Sequence, residues 1–453
     1  MSAEGLQKSQ SFVDVRAVDV VDPPTKRQKR EISAVASILE GKKAIQEHEN
    51  ETAEIVIVCE PEQSSLMMGG LHPRGSLYER PVNIDSAKAM HGEFRKVIRE
   101  HGVKVLTVRE ILAYNVESTV SARVDLENLA FSAMKYELAD KYVIEDVNDS
   151  DRYYLSDEYK REVVEHMSCT QLIDTVMINP TVSLKPSYRD TGLTASYTFE
   201  PLSNLVYTRD QQITTGRGIV MGRLRSAQRA REVQVMRFCF TKLGLNVIGE
   251  ISSTGYLEGG DFFPMGTDLA LLGIGLRSNF AAAEQLMKKD LLGSRRFGVV
   301  RDDFDQNQDR MHLDCVFSLL SDNCCIMLAD IMGEDSPKRR LVDEYVRQDD
   351  GSYTLVREGV EFSRFMKEEG FSIIPISHED QLQYGCNILN LGDSRIIGVH
   401  ARSARQIVNN PSFTGDFRVI DFSSITSMYG SVHCASQVVK RIPRRVIDAI
   451  TKK

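Results

Sequence analysis

The sequence predicts an α/β protein, and three observations carry that reading. The run EIVIVCE at residues 54–60 has the unbroken apolar character of a buried strand. From Asp85 to Gly102, Ala87, Met90, Phe94, Val97 and Ile98 share one helical face, and VKVLTV follows at once as the next strand. The same strand, helix, strand order returns from about Ala227. There Val233, Met236, Phe240 and Leu243 form a stripe that stops at Gly244 and hands over to LNVIG.

Further short strands are expected at LALLGIG (269–275), CCIMLA (324–329), SRIIGVH (394–400) and FRVIDFSS (417–424). Residues 1–50 are polar and lack sustained periodicity, so they are expected to form a disordered arm, with one α/β domain over residues 51–453. The arm carries Lys26, Arg27, Lys29 and Arg30 directly after a Pro-Pro pair. A solvated tail is the ordinary reading of that cluster and a nuclear address the sharper one. Between Val124 and about Ile178 helical signals replace strand signals, which predicts a helical insertion over residues 122–178. Within it, YLSDEYKREVVEHM offers Ser156 as an N-cap and places Leu155, Tyr159, Val163 and Met167 four residues apart. No exact sequence repeat is visible, although the recurring unit lengths permit a structural pseudo-repeat.

Composition narrows the function. The 453 residues are 42% hydrophobic and 26% charged, which excludes a fibrous or wholly disordered chain. Fifty-six basic against 64 acidic side chains leave a net charge of -8, with no overall attraction to nucleic acid or anionic membrane. No apolar run approaches the roughly 20 residues that span a bilayer, and MSAEGLQKSQSFVDV lacks the apolar core of a secretory signal. An intracellular, cytoplasmic protein acting on a small molecule is therefore expected. A homo-oligomer is compatible with the sequence and not specified by it. The eight cysteines contain no CxxC pair and mostly sit in hydrophobic stretches, as reduced, buried thiols would.

Three acidic clusters stand beside strands: SNLVYTRD ending at Asp210, YLEGGD with Glu258 and Asp261, and MHLDCVF with His312 and Asp314. Taken singly, each is an ordinary cap or turn. LEGGD lacks the spacing of a phosphate loop. Cys434, in SMYGSVHCASQVVKR, is the exceptional cysteine: it precedes an expected helix containing Val438 and Val439, whose free N–H groups would lower the thiol pKa. An unperturbed thiol is only about 3% ionised at neutral pH. The scattered histidines and cysteines lack the paired spacing of a zinc site, so no metal is expected.

In order, N-x-x-Y-T-R-D (204–210), L-E-G-G-D (257–261), G-x-R (275–277), H-L-D-x-V-F (312–317) and H-C (433–434) closely resemble the arginine deiminases of the guanidino-group modifying superfamily. The resemblance runs from about Glu54 to the end of the chain. It implies a five-bladed α/β propeller of the pentein type, built from pseudo-repeated ββαβ units around a central channel, with a helical insertion. It also implies an enzyme without cofactor that converts L-arginine and water to L-citrulline and ammonia. Asp210 and Asp314 would hold the planar guanidinium, Glu258 would complete the cage, and Asn204, Arg229 and Arg277 would receive the α-carboxylate. Cys434 would attack the guanidinium carbon, and His312 would protonate the leaving amine and then activate water against the S-alkylthiouronium intermediate. With the cation absent, at least one carboxyl of this cage is expected to have a raised pKa.

The chain departs from the family in two places: SMYGSVHC, with Tyr429 and Ser431, replaces a glycine-rich stretch with an arginine, and SLYERPVNID offers only Glu79 where a paired-acid string is usual. An arginine dihydrolase giving ornithine, an amidinotransferase and a non-catalytic guanidino-binding protein therefore stay open as alternatives. The intact set of Cys434, His312, Asp210, Glu258 and Asp314 argues against the last.

Overall fold

The computed structural model describes residues 44–189 and 191–443. Most of the expected arm, with its basic cluster, lies outside the described residues. Its last seven positions do not behave as an arm: Ala44, Gln46, Glu49 and Asn50 are buried. Their polar side chains escaped a reading based on hydrophobic periodicity because they are held by hydrogen bonds, not by apolar packing.

Five sheets repeat one pattern, in which a central strand has a short antiparallel neighbour on one side and a parallel neighbour on the other. Gln437–Ile442 lies antiparallel to Thr52–Val58, which pairs in parallel with Lys104–Thr107 after the helix Ile84–Glu100. Gln212–Thr214, Ile219–Met221 and Val247–Glu250 repeat this around the helix Ala230–Lys242. Phe262–Pro264, Leu269–Ile274 and Arg296–Arg301 do so around Phe280–Lys288, and Leu341–Arg347 and Tyr353–Glu361 widen that sheet to five strands. Phe317–Leu319, Cys324–Leu328 and Ser372–Ile376 form the fourth unit with Phe362–Glu368. Leu389–Asn390, Arg395–Gly398 and Asp416–Val419 form the fifth with Ala401–Val408.

The parallel pairs explain the unbroken apolar runs, since a strand covered on both faces has no polar side to alternate. Val56 and Ile57, adjacent in sequence, are both fully buried but belong to different core clusters. Helical stripes supply the covering layer: Phe94 and Phe240 are completely buried, each contributing roughly 1.5–3 kcal/mol.

Residues 120–199 form a separate elaboration. Helices Val120–Ala133, Asp157–Glu165 and Cys169–Ile178 accompany a sixth sheet of Lys135–Leu138, Pro180–Pro186 and Leu193–Phe199. Ser156 does cap its helix, accepting from the Tyr159 amide at 3.1 Å. Leu126, Ala130, Leu172 and Val176 share a core cluster with Ile55, Ile57, Met236 and Phe240, which fixes the elaboration against the first two units. The segment thus contains the strand Lys135–Leu138 as well as helices; its KYEL pattern has no apolar run to betray it, because the strand is largely exposed.

One local expectation is overturned. Val438 and Val439 lie in the strand Gln437–Ile442, not in a helix. β-Branched side chains fit a pleated, buried surface, and both valines are fully buried there. Cys434 therefore has no helix N-terminus in front of it.

Candidate active site

Polar residues converge because the five units place them at equivalent positions, just before the short first strand of each. Asp210 precedes Gln212–Thr214, Glu258 and Asp261 precede Phe262–Pro264, and His312 and Asp314 precede Phe317–Leu319. Asn387 precedes Leu389–Asn390, and Cys434 precedes Gln437–Ile442. The turns that carry them are locked to one another. Gly259 N donates to Asp210 O at 3.1 Å, Leu313 N donates to Asp261 Oδ1 at 2.8 Å, and Arg209 N donates to Cys434 O at 3.1 Å.

The two glycines of LEGGD are close-approach positions. A Cβ on Gly259 would lie 1.9 Å from Arg209 O, and one on Gly260 would lie 2.9 Å from His312 Nδ1 and 3.1 Å from Asp314 Oδ2. The second glycine therefore leaves open the point that His312 and Asp314 flank. His312 Nδ1 and Asp210 Oδ1 are buried there without a protein partner.

Cys434 Sγ lies 3.5 Å from Asp314 Oδ2 and accepts from Asn387 Nδ2 at 3.2 Å. The same Asp314 oxygen accepts from His433 Nδ1 at 2.8 Å, and the His433 ring stacks on Phe263 with centroids 5.5 Å apart. On the other side of the site, His312 Nε2 lies 2.7 Å from Glu258 Oε2, and Glu258 Oε1 accepts from Arg225 N at 2.9 Å.

Charge distribution follows from these contacts. Burial alone would discharge His312, but Asp210, Glu258 and Asp261 outweigh it and raise the imidazole pKa to about 10. Burial would likewise neutralise Glu258, yet the His312 bond and charge hold it at about 2. Asp314, although buried, is held low chiefly by His433, with His312 and Arg209 adding to the effect. Burial and Arg209 pull the His433 pKa down, so His433 donates to Asp314 as a neutral ring. The Cys434 thiol is pushed well above the ordinary range by burial first and then by Asp314 and Asp210. This reverses the shift expected of a helix N-terminus. The expected raised carboxyl does not fall on Glu258 or Asp314, which protein partners hold low; the raised ones stand beside the cage, Asp261, pushed to about 6 by burial, and Glu232, also pushed up by burial.

The residues expected at the amino-acid end are differently engaged. Arg229 Nη1 donates to Asp210 Oδ2 at 2.8 Å, its Nε and Nη2 reach Glu232, and Nη2 also reaches Asn204 O. Asn204 Nδ2 donates to Ser76 O at 2.9 Å. Arg277 is half-buried, touches Gln308 and Met311 through Nη2, and keeps a buried Nε without a partner.

Sequence reasoning missed Asn387, Glu232 and the part played by His433. Asn387 had a detectable signal, because it stands just before a short strand as Asp210 and Asp314 do. Glu232 sits on the helix Ala230–Lys242, where an acid in the first turn reads as an ordinary dipole partner.

A model of the arginine deiminase family matches residues 75–441, most of the chain. The chain belongs to the arginine deiminase family. It is 24% identical over 324 residues to an arginine deiminase of Halobacterium salinarum, across 54% of this chain and 65%, just under two thirds, of that one. It is 25% identical over 339 residues to an arginine deiminase of Streptococcus uberis, across 69% of this chain and 78% of that one. Among solved structures, unliganded AgrE aligns with a TM-score of 0.50 at 13% identity, over 85% of this chain and 39% of that chain, a likeness of fold. The family match takes in every residue of the cluster described above, from Asn204 to Cys434.

Proposed function

We propose that this protein hydrolyses the guanidino group of L-arginine to L-citrulline and ammonia, with Cys434 as nucleophile. The observation that carries the reading is the convergence on one buried point of a thiol, two carboxylates that act on it and a protonated imidazole. That set matches a flat cation with a reactive carbon. The five repeated sheets would stand around a common axis as propeller blades, since their equivalent strand ends supply the site.

The guanidinium binds against Asp210 Oδ1 and Asp314, whose negative charges otherwise keep the thiol protonated. Its positive charge offsets them, so the Cys434 thiol ionises when substrate is present. Asn387 directs an N–H at the sulfur and favours the anion. The thiolate adds to the guanidinium carbon, and His312, held protonated by Glu258, gives a proton to the departing nitrogen, which leaves as ammonia. The bond formed is C–S and the bond broken is C–N. Neutral His312 then takes a proton from water as its oxygen attacks the thiouronium carbon; the C–S bond breaks to return the thiolate, the adduct's hydroxyl proton passes to the released ammonia, and citrulline leaves. Arg229 orients Asp210, while Arg277, with a free Nε, receives the α-carboxylate.

Incubation with arginine, followed by quantifying citrulline, ornithine, urea and ammonia, tests this. Citrulline with equimolar ammonia is expected. Ornithine with two equivalents of ammonia would transfer the reading to a dihydrolase, product formed only with an added amine acceptor would indicate an amidinotransferase, and binding without turnover would reduce the site to a receptor.

A further inference from the structure

The segment from Ala44 to Glu51 lies outside the family match yet hydrogen-bonds next to every one of the five repeated sheets, in chain order. Gln46 N donates to Thr215 O, Glu49 N to Pro264 O, and Asn50 Nδ2 to Asp322 Oδ1 in the turn before Cys324. Asn390 Nδ2 and Ser394 N donate to Asn50 Oδ1, and Arg441 Nη1 donates to Glu51 O. It acts as a plug packed against the turns that carry the site, with Gln46 and Glu49 beside Arg209 and Gly259.

Glu49 is the charged centre of that plug. Its Oε2 accepts from Arg441 Nη2 at 2.8 Å, while its Oε1 accepts from Gln46 Nε2 at 2.7 Å and lies 3.6 Å from Arg209 Nη1. All three charged side chains are at least nine-tenths buried. Arg209 Nε donates to His433 O at 3.2 Å, and His433 Nδ1 grips the Asp314 oxygen that faces Cys434. Arg209 thus reaches the plug through its guanidinium while its neighbour Asp210 belongs to the site, and the His433 carbonyl takes the Arg209 bond while its ring holds Asp314 beside Cys434. Arg209 Nη2, His433 Nε2 and Arg441 Nε are buried without partners, and a small cavity opens beside Glu49, Arg209, Gln212 and Gln437.

We propose that Glu49 is a positioning residue for Cys434: by balancing Arg209 and Arg441 it sets the field in which the His433, Asp314 and Cys434 chain operates. The inference rests on the reading of Cys434 as nucleophile. Without Glu49, two buried guanidinium groups would stand behind the site offset only by Glu51 beyond Arg441 and by Asp314 near Arg209, in a medium that screens poorly. The groups acting on Cys434 are Asp314, Asp210 and Cys315, with Tyr207 and Tyr384 nearby; those acting on Glu49 are Arg441, Arg209, His433 and Gln46, with Glu51 beyond Arg441.

The sign of the effect is testable. Glu49→Gln removes a negative charge, so the Cys434 thiol should ionise at lower pH; Arg441→Gln removes a positive charge and should move it the other way; the double variant should return toward wild type. The readout is the pH dependence of iodoacetamide alkylation of Cys434, resolved by peptide mass, with thermal unfolding recorded in parallel. Midpoint shifts on the order of one pH unit, a tenfold change in labelling rate on the rising limb, are expected. The KM for arginine should rise severalfold in Glu49→Gln, because the substrate is a cation, with kcat less affected. Midpoints that stay put while melting temperatures fall, shifts of one sign in both variants, or a thiol that the reagent reaches in none of them would overturn the proposal. If Glu49→Gln does not fold, the upward shift in Arg441→Gln decides. Alkylation needs no turnover, so opposite shifts in a protein that leaves arginine untouched would sink the hydrolase and leave the plug standing.

Discussion

His312 and Glu258 form an ion pair of 2.7 Å with both side chains withdrawn from water. A pair so buried is ionised only because each partner, with Asp210 and Asp261 beside the imidazole, compensates the other. It also keeps a proton on His312 at neutral pH, where the first half of the proposed reaction needs an acid.

The pair makes stability depend on pH in a defined direction. His312 rises from 6.5 to about 10 on folding, so its contribution is full below about pH 6.5 and fades as pH climbs toward 10. Glu258 falls from 4.5 to about 2, so its contribution is full above about pH 4.5 and fades as pH drops toward 2. The pair therefore stabilises most between those limits, about pH 4.5 to 6.5. Glu258→Gln should lose roughly 3–5 kcal/mol in that window and progressively less toward pH 10, as measured by urea unfolding. A deficit that does not vary between pH 5 and 10 would mean that the pair is not ionised.

Cys434→Ser should remove turnover by roughly four orders of magnitude or more while keeping stability within about 1 kcal/mol, since Ser replaces a buried thiol of similar shape. Asn387→Leu should do the reverse in degree. It removes the N–H aimed at Sγ and the acceptor of His433 N, leaving buried polar groups unpaired at about 1–3 kcal/mol, and slows kcat without abolishing it. Steady-state kinetics and thermal melts on both variants check this; wild-type rates in Cys434→Ser would exclude the thiol from the chemistry.

Gly259→Ala should damage the site more than Gly70→Ala damages anything. A Cβ at 259 meets the Arg209 carbonyl at 1.9 Å, whereas at 70 it meets nothing within 4 Å. Overpacking against backbone costs about 1–3 kcal/mol and moves the turn that carries Glu258. Circular dichroism melts should separate the two variants, and equal melting temperatures would show that the 257–261 turn yields freely.

Much of this was legible along the chain because it is written in local periodicity and short strings. The apolar runs from Glu54 and Leu269 became strands, the stripe ending at Leu243 became a helix, and Asp210, Glu258, His312, Asp314 and Cys434 were marked by motif order. What the chain alone misjudged were properties that depend on distant partners. Val438 and Val439 are expected in a helix after Cys434 but are buried in an antiparallel pairing with Thr52–Val58. That same placement decides the chemistry of Cys434: a thiol's ionisation is set by burial and by carboxylates from residues more than a hundred positions away, not by its neighbours in sequence. Likewise Glu49 passes for part of a polar tail until Arg209 and Arg441 arrive from the far side of the chain. Sequence alone determined most of the elements and the residue types in the motif strings, because periodicity and turn chemistry act over a few residues. Tertiary structure decided which side chains meet and which protons they hold, because desolvation and charge coupling act through space.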